Sequence, residues 1–377
     1  MQVPLLDLTK QYRSIQEEIR EAVERVLKSG HYILGPNVEA LEEEVAAYCG
    51  VSYGVGVASG TDALRLSLLS LGIGEGDEVI TTPFTFIATA QVITQIGATV
   101  VFVDIDEDTF NIDVDRVEQA ITSKTKAILP VHLFGHSVDM NRLLEIAKNY
   151  NLFVIEDAAQ AFGSECNIHT QDSLNSWRKA GSMGDVGCFS FFPTKNLGGF
   201  GDGGMVITNN KDIARRLKLL RVHGGNSTSY SYDALGYNSR LDEIQAAILR
   251  VKLKYVDKWI KMREEKATLY NRLLSDVPVK TPCCKSYSRH SFCVYTIKTP
   301  LRDKLREYLK NSGIATKIYY PVPIHLQKIY RDKGYGKYSL PSSENICQRV
   351  LSLPIYPELG EEQVFYIAEK IKSFFEN

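Results

Sequence analysis

From Tyr53 onward, short apolar runs typical of strands alternate with stretches typical of helices. The strand-like runs are Tyr53–Ala58, Glu78–Thr82, Thr99–Val103, Ala127–Val131 and Leu152–Ile155, and the helical stretches are 62–72, 86–96, 113–122 and 139–149. This alternation predicts a largely parallel sheet covered by helices on both faces, because parallel strands need crossover connections. Ligands of such sheets bind at the carboxyl ends of the strands, so the loops there are expected to carry the chemistry.

Two further strands, Gly187–Phe192 and Met205–Thr208, are predicted after a polar segment, 164–184, which has little periodicity and is typical of a long surface loop. Apolar residues at regular spacing predict the other elements, which are helices over 8–29, Pro36 to Cys49, Leu241 to about Leu274, 301–312 and 361–375, and a strand in Ser291–Lys298. We predict a large domain over 1–250 and a smaller C-terminal α+β domain over 251–377.

The composition is that of a globular protein, with 44% hydrophobic and 24% charged residues among 377. A net charge of −1 does not favour nucleic acid or an anionic membrane as a partner. No apolar run is long enough to span a membrane, and no signal peptide is apparent. The seven cysteines are scattered without a C-x-x-C pair, which indicates reduced thiols rather than a metal site. We therefore expect a cytosolic protein without a zinc site.

Lys195 follows the run Cys188–Thr194, in which five of seven residues are apolar. The run predicts a buried strand that delivers one ammonium group into an enclosed place. Removal of water lowers the pKa of a lysine and makes its amine a nucleophile. Such lysines form Schiff bases with carbonyl groups, notably the aldehyde of pyridoxal phosphate (PLP). The alternative is a lysine whose head group reaches the surface at a strand end.

The segment Ser59–Ala63 follows a predicted strand and opens a predicted helix. Gly60 lets the backbone approach a ligand, Thr61 adds a hydroxyl group, and the helix start offers free N–H groups with positive dipole charge. Together these features predict a phosphate site. An ordinary helix cap by Ser59 or Thr61 is the alternative.

Two adjacent acids, Glu156 and Asp157, come directly after a strongly apolar strand. A carboxylate at this place can pair with a protonated ring nitrogen and keep the ring an electron sink. Side chains alternate along a strand, so the two acids are expected to point to opposite faces. Asp157 is the candidate partner, with capping of the next turn as its alternative role.

Phe86 follows another strand in the run Thr82–Thr89. An aromatic ring at that place can stack on a flat heterocycle. A phenylalanine in such a position is, however, more often part of the core.

The segment Gly199–Gly204 matches G-x-G-x-x-G, but the residues after it, Met205–Thr208, are strand-like. A dinucleotide fingerprint must open a helix. NAD binding is therefore not predicted, and the glycines are expected to let the loop after Lys195 turn tightly.

The order of these motifs resembles that of the DegT/StrS family of PLP-dependent sugar aminotransferases over nearly the whole chain. The matching blocks are Gly35–Pro36, Val38–Glu42, Ser59–Leu64, Gly76–Ile80, Thr85–Ala90, Pro130–Gly135, Glu156–Gln160, Phe189–Phe191, Lys195–Gly198, Gly201–Gly204, Gly236–Asp242, Tyr320–His325 and Leu351–Pro357. The resemblance implies an α/β fold like that of aspartate aminotransferase (fold type I), with a mostly parallel seven-stranded sheet in the large, PLP-binding domain.

The resemblance also implies roles for individual residues. Lys195 matches the lysine that binds PLP covalently and then moves protons, and Asp157 matches the acid at the pyridine nitrogen. The other matches are Gln160 near the ring hydroxyl, Phe86 stacked on the ring, Thr61, Asp62 (through its backbone) and Ser190 at the phosphate, Asn238 at the phosphate of the neighbouring subunit, and Arg240 and His325 on the sugar side. The Asn238 match implies a homodimer with shared active sites.

The implied activity is transfer of an amino group from glutamate to a keto group of a nucleotide-linked hexose. Lys-Asn-Leu-Gly followed by Gly-Asp-Gly-Gly is more similar to enzymes of 3-keto sugars than of 4-keto sugars. A related branch has histidine in place of the lysine and dehydrates its substrate, so Lys195 favours transamination. A sugar dehydratase and a non-catalytic PLP-binding regulator are the alternatives. His136, where glutamine is common, and the insertion at 164–184 depart from the family pattern near the expected mouth of the site.

Overall fold

The computed structural model describes residues 1–170, 173–226 and 230–376. Its strands are β1 (Tyr53–Val57), β2 (Glu78–Thr81), β3 (Thr99–Phe102), β4 (Thr125–Ile128), β5 (Phe153–Asp157), β6 (Glu165–Thr170), β7 (Ser173–Lys179), β8 (Val186–Ser190), β9 (Gly204–Thr208), β10 (Gly225–Asn226), β11 (Ser231–Tyr232), β12 (Ser288–Arg289), β13 (Tyr295–Lys298) and β14 (Val350–Leu353).

The α-helices are α1 (Leu8–Ser14), α2 (Gln16–Ser29), α3 (Pro36–Cys49), α4 (Gly60–Ser70), α5 (Ala88–Gln95), α6 (Met140–Asn149), α7 (Lys211–Leu220), α8 (Glu243–Leu253), α9 (Val256–Leu273), α10 (Arg302–Asn311), α11 (Lys328–Arg331), α12 (Pro341–Arg349) and α13 (Glu361–Glu376). Short 3₁₀ turns are Val114–Arg116, Glu118–Ala120, Leu133–Gly135, Ile324–Leu326 and Tyr335–Lys337.

Seven strands form the central sheet in the order β1-β9-β8-β5-β4-β2-β3. Neighbours from β8 to β3 are parallel, whereas β9 runs antiparallel to both β1 and β8. The strands are mainly apolar, in keeping with helices that cover both faces of the sheet. The predicted fold class, a mixed and mostly parallel seven-stranded α/β sheet, is confirmed.

A second apolar core lies among α9, β13, β14, α10 and α13, with Tyr270, Tyr295 and Ile367 fully buried in it. The N-terminal segment joins this core, because Val3 exchanges backbone hydrogen bonds with residues 313 and 315. Residues from 324 to 335, in turn, pack on the core of the large sheet. The division of the chain at residue 250 stays a prediction, and α8 runs across that position.

The prediction of a surface loop over 164–184 was wrong. β6 and β7 form an antiparallel hairpin, and β12 pairs with the outer edge of β6. Cys166 and Ile168 alternate with polar residues and pack into an apolar cluster beside α6. Polar residues elsewhere in the segment hide this short alternation.

Three predicted helices have different bounds in the structure. Residues 113–122 form two 3₁₀ turns, because the Asp113 side chain accepts from the Asp115 N–H and tightens the chain. The helix predicted over 8–29 breaks at Ile15, whose φ of −131° lies outside the helical region. The stretch from 241 to 274 is two helices with a break at Lys254 and Tyr255.

Among the residues described, no helix combines the length and the apolar character that crossing a membrane would need.

Candidate active site

A cavity of about 490 Å³ lies between the carboxyl ends of the sheet strands and the second core. Its size is within the range of small-molecule sites. The large sheet contributes loops after β1, β2, β5 and β8, and the second core contributes parts of α9 and β14. Seven of the residues predicted from the sequence line this cavity, namely Gly60, Thr61, Phe86, Asp157, Gln160, Ser190 and Lys195.

Lys195 is half-buried in the turn after β8, where its side chain faces the cavity. Its N–H donates to the Phe192 carbonyl at 2.9 Å, which closes the turn. The next residue, Asn196, is buried and donates from Nδ2 to the carbonyls of Phe162 (3.3 Å) and Ser291 (3.4 Å). The position of the lysine is thus set by contacts on both sides of it.

Lys252, fully buried on α8, anchors the far end of the same loop by donating to the Gly198 carbonyl. Burial lowers the pKa of Lys252 to about 8. After the glycines the chain enters β9, which begins at Gly204. The segment therefore does not open a helix, in agreement with the expectation that it is not a dinucleotide fingerprint.

The N-terminus of α4 meets the end of β8 at the cavity wall. Ser59 caps the helix, with Oγ accepting from the Asp62 N–H at 3.1 Å. A Cβ on Gly60 would lie 2.6 Å from the Ser190 Cβ, and one on Gly204 would lie 2.5 Å from the Ser59 carbonyl carbon. Only glycines permit this close approach, which places the start of a helix, with its N–H groups and dipole, beside the Ser190 and Thr61 hydroxyl groups.

Asp157 is buried at the end of β5 and lines the cavity. Its Oδ2 accepts from Thr89 Oγ1 at 2.8 Å, and its Oδ1 accepts from the Ala159 N–H at 3.2 Å. Burial raises the pKa of this carboxyl, while the two hydrogen bonds and the charge of Lys195 act in the opposite direction. A cation bound in the cavity would stabilise the ionised form further.

Glu156 points to the opposite face, as the strand alternation predicts. It is fully buried away from the cavity, within 2.8 Å of His132 Nε2. Its two oxygens also accept from the N–H groups of Gly181, Met183 and Gly184 at 2.6 to 2.8 Å. Glu156 therefore ties the chain before β8 to the sheet.

We expect Glu156→Gln to lower the free energy of unfolding by about 3 kcal/mol, because the amide group turns a donor toward N–H groups that need an acceptor. Urea unfolding of the purified variant measures this. Glu145→Gln on α6, which removes an exposed ion pair with Arg142, is the matched control and is expected to leave the stability nearly unchanged. Wild-type stability of the Glu156 variant would show that this interpretation is wrong.

Gln160 is oriented by two hydrogen bonds. Its Oε1 accepts from the Phe134 N–H and its Nε2 donates to the Tyr320 hydroxyl, both at 3.0 Å. Phe86 is 56% exposed although it lies in the cavity wall. A flat ligand in the cavity would cover this ring.

Four predicted residues do not line the cavity. The Asp62 N–H is used by Ser59, and its carboxylate pairs with Arg65 at 3.3 Å. Asn238 is exposed and Arg240 is half-buried elsewhere. His325 is fully buried beside Phe102, with Nε2 3.3 Å from Glu344, so it does not reach the cavity within this chain.

His136 was also expected near the mouth of the site, but it is buried away from the cavity. Its Nδ1 donates to the Ser137 carbonyl at 2.7 Å, and its Nε2 accepts from the Lys285 N–H at 3.3 Å. Burial lowers its pKa to about 4, so the ring is neutral at ordinary pH.

Sequence reasoning missed several residues that line the cavity. Thr89 holds Asp157, Tyr320 holds Gln160, and Arg263 lies in the wall contributed by α9. Thr85 and Thr89 lie four residues apart, which is helical spacing, and their hydroxyl oxygens are 3.1 Å apart. This spacing was a signal in the sequence that could have identified Thr89. Tyr320 and Arg263 carry no comparable signal, because their approach depends on long-range packing.

These residues fit PLP. The glycine-lined helix start suits a phosphate, the exposed Phe86 ring suits an aromatic heterocycle, and the buried Asp157 suits a protonated ring nitrogen. The amine of Lys195 opens into the same space, where the aldehyde of such a ligand would be held.

Residues 13–372 match the model of the DegT/DnrJ/EryC1/StrS aminotransferase family. The chain belongs to this family. Its members are PLP-dependent, so this protein is a PLP-dependent aminotransferase. The resemblance seen in the sequence motifs is confirmed.

Curated relatives match this DegT/DnrJ/EryC1/StrS protein over nearly their whole length. A "Pleiotropic regulatory protein" of Geobacillus stearothermophilus is 48% identical, with 100% of this chain and 99% of the relative aligned. A UDP-N-acetyl-3-dehydro-α-D-glucosamine 3-aminotransferase of Acidithiobacillus ferrooxidans is 44% identical over 98% of this chain and 97% of the relative. The crystal structure of DesV of S. venezuelae in complex with a ketimine intermediate has a TM-score of 0.95 and 42% identity, covering 100% of this chain and 99% of DesV.

Proposed function

We propose that this protein transfers an amino group from glutamate to the C3 keto group of a nucleotide-linked hexose, for the synthesis of amino sugars of glycans. The observation that carries the proposal is the meeting of the Lys195 amine and the Asp157 carboxylate in one cavity. The name of the Acidithiobacillus relative supports a 3-keto nucleotide sugar as acceptor. The motifs around Lys195 and Asp202 favour the same carbon.

PLP, when bound, supplies an electron-withdrawing ring that stabilises negative charge on the carbon next to the transferred nitrogen. In this proposal Gly60, Thr61 and Ser190 hold the phosphate, and Phe86 stacks on the ring. Gln160, whose amide is fixed by Phe134 and Tyr320, lies at the ring hydroxyl.

Two side chains then control protons. Asp157, held by Thr89, keeps a proton on the ring nitrogen by opposing its charge. Lys195 Nζ would remove the proton from the donor Cα as a general base and then return it as a general acid. The fixed turn around Lys195 would hold this amine in position for both proton transfers.

A homodimer is part of the proposal. The segment that ends at Asn238 carries several exposed apolar side chains, including Tyr230 (80%), Tyr232 (57%) and Leu235 (96%). Exposed apolar side chains this close together are typical of a protein interface. In the proposed dimer, this segment would bring Asn238 to the phosphate site in the cavity of the neighbouring subunit.

Two alternative functions differ from the proposed transamination in their chemistry. A sugar dehydratase of this fold is disfavoured by the lysine at position 195. A regulatory role is the second candidate, because the Geobacillus relative is named a pleiotropic regulatory protein. A regulator that only binds PLP could lose a catalytic group, but the cavity retains both the Lys195 amine and the Asp157 carboxylate.

The test uses purified protein loaded with PLP and isotopically labelled glutamate. We expect glutamate to abolish the absorption band of the lysine-bound cofactor, and a 3-keto nucleotide hexose to restore it with label in the sugar. Mass spectrometry over a panel of 3-keto and 4-keto nucleotide sugars identifies the acceptor. A band that does not respond to glutamate would contradict the donor, and label only in 4-keto sugars would contradict the position.

A further inference from the structure

Arg263 is a buried cation in the wall of the active-site cavity. It lies on α9, is 4% exposed, and donates from Nη1 to the carbonyls of Ile355 at 2.8 Å and Phe292 at 3.5 Å. In the three described stretches of the chain, no carboxylate lies within ion-pair distance of its guanidinium group. Its charge is thus matched by carbonyl dipoles and by no anion of the protein.

The surroundings make an unpaired charge costly. The apolar side chains of Leu5, Leu6, Leu353 and Ile355 line the same cavity as the guanidinium group. Burial lowers the pKa of Arg263, and the nearby Cys293 and Glu358 side chains act in the opposite direction. Buried arginines are ordinarily paired with an anion, and an anionic ligand in the cavity would supply such a partner for Arg263.

The cationic side chains that line the cavity limit which residue could bind a second anion. Among the lining residues described, Lys195 and Arg263 are the cationic side chains. Lys195 is occupied by the cofactor and by proton transfer, and the phosphate has its own cradle at Gly60. Nearby Lys252 donates to the Gly198 carbonyl and does not line the cavity. Arg263 is therefore the cation left for a second anion.

The geometry of the group suits a carboxylate. A guanidinium group presents five N–H donors in a plane, and two of them can bind both oxygens of a carboxylate. Nη1 donates to main-chain carbonyls, whereas Nε and Nη2 make no hydrogen bond to any residue in the described stretches. A planar anion entering from the cavity would meet these free donors.

We propose that Arg263 binds a carboxylate of the amino donor and thereby orients the donor toward Lys195. This inference rests on the proposed transamination from glutamate. It assigns a residue to the donor side of the reaction, with no contribution to binding of the nucleotide sugar. The main-chain bonds of Nη1 then serve to aim the other edge of the guanidinium group.

The experiment compares Arg263→Met and Arg263→Lys with wild type in the two half-reactions. We expect the half-saturation concentration for glutamate to rise about 10–100-fold in Arg263→Met and less in Arg263→Lys, since lysine keeps the charge but not the planar donors. The half-reaction of protein loaded with pyridoxamine phosphate and the keto sugar is expected to stay within about twofold. Arg272→Met, an exposed position on the same helix, is the control and should change neither.

A second readout does not depend on turnover. Glutarate, an unreactive dicarboxylate, is expected to bind wild-type holoenzyme in a calorimetric titration, and binding should be lost in Arg263→Met. Loss of this binding would support the inference even if glutamate failed to react, in which case only the proposed donor would be wrong. Equal weakening of both half-reactions, an effect on the keto sugar alone, or unchanged glutarate binding would overturn the assignment.

Discussion

Lys195→Ala is expected to lower transamination by more than about 10⁴-fold. General acid–base catalysis contributes typically 10²–10⁴-fold, and the variant also loses the amine that binds PLP covalently. The measurement is the rate of label transfer from glutamate to the keto sugar at saturating substrates. Borohydride reduction followed by peptide mapping should attach the pyridoxyl group to Lys195 in the wild type and to no residue in the variant.

The control is Lys148→Ala, which removes an exposed lysine at the end of α6. It is expected to keep both the absorption band and the activity. Stability should hardly change in Lys195→Ala, because the main-chain bonds of the turn remain and Asn196 still anchors the loop. A Lys195→Ala protein that transfers amines at the wild-type rate would remove the basis of the proposed mechanism.

Asp157→Asn is expected to lower the rate by about 10²–10⁴-fold. Breaking a buried charge pair costs about 3–5 kcal/mol, and each 1.36 kcal/mol corresponds to a tenfold change in rate. Asparagine keeps the size and the hydrogen bond from Ala159, so the loss comes from the charge. Rates of both half-reactions, measured as the cofactor absorption changes, should fall together, because the ring nitrogen serves both.

Thr89→Val and Thr89→Ser separate the charge of Asp157 from its orientation. Valine removes the donor to Oδ2, so the pKa of Asp157 should rise further and activity should fall by less than in Asp157→Asn. Serine retains a hydroxyl group and is expected to remain close to wild type. Full activity of Asp157→Asn would show that this carboxylate does not face the ring nitrogen.

Some of the site was predictable because it depends on local chain order. Strand alternation alone separates Asp157, which faces the cavity, from Glu156, which is buried on the other side. Gly60 and Lys195 each follow a strand end, and parallel strands bring such ends to one edge of the sheet. Gly204 on β9 pairs with both Val57 on β1 and Ser190 on β8, and this register brings the segments that carry Gly60 and Lys195 together.

Other features depended on pairings between distant segments. The hairpin of β6 and β7 is completed by β12, more than 100 residues later, and its polar faces resemble a loop when read alone. The family motifs predict His325 on the sugar side of the site, yet it packs against Phe102 and does not line the cavity of its own chain. A match of motif order does not specify the direction of a side chain.

The amino-acid sequence by itself determined the fold class and the family, and it predicted the nucleophile, because periodicity and ordered motifs are properties of neighbouring residues. Only the tertiary structure decided that Arg263 and Tyr320 border the same cavity as Lys195. On α9 an arginine looks like any charged residue of an amphipathic helix, and its burial follows from the packing of α9 against residues 292 and 355. Long-range packing sets which side chains lose water, and the loss of water gives a charged group its function.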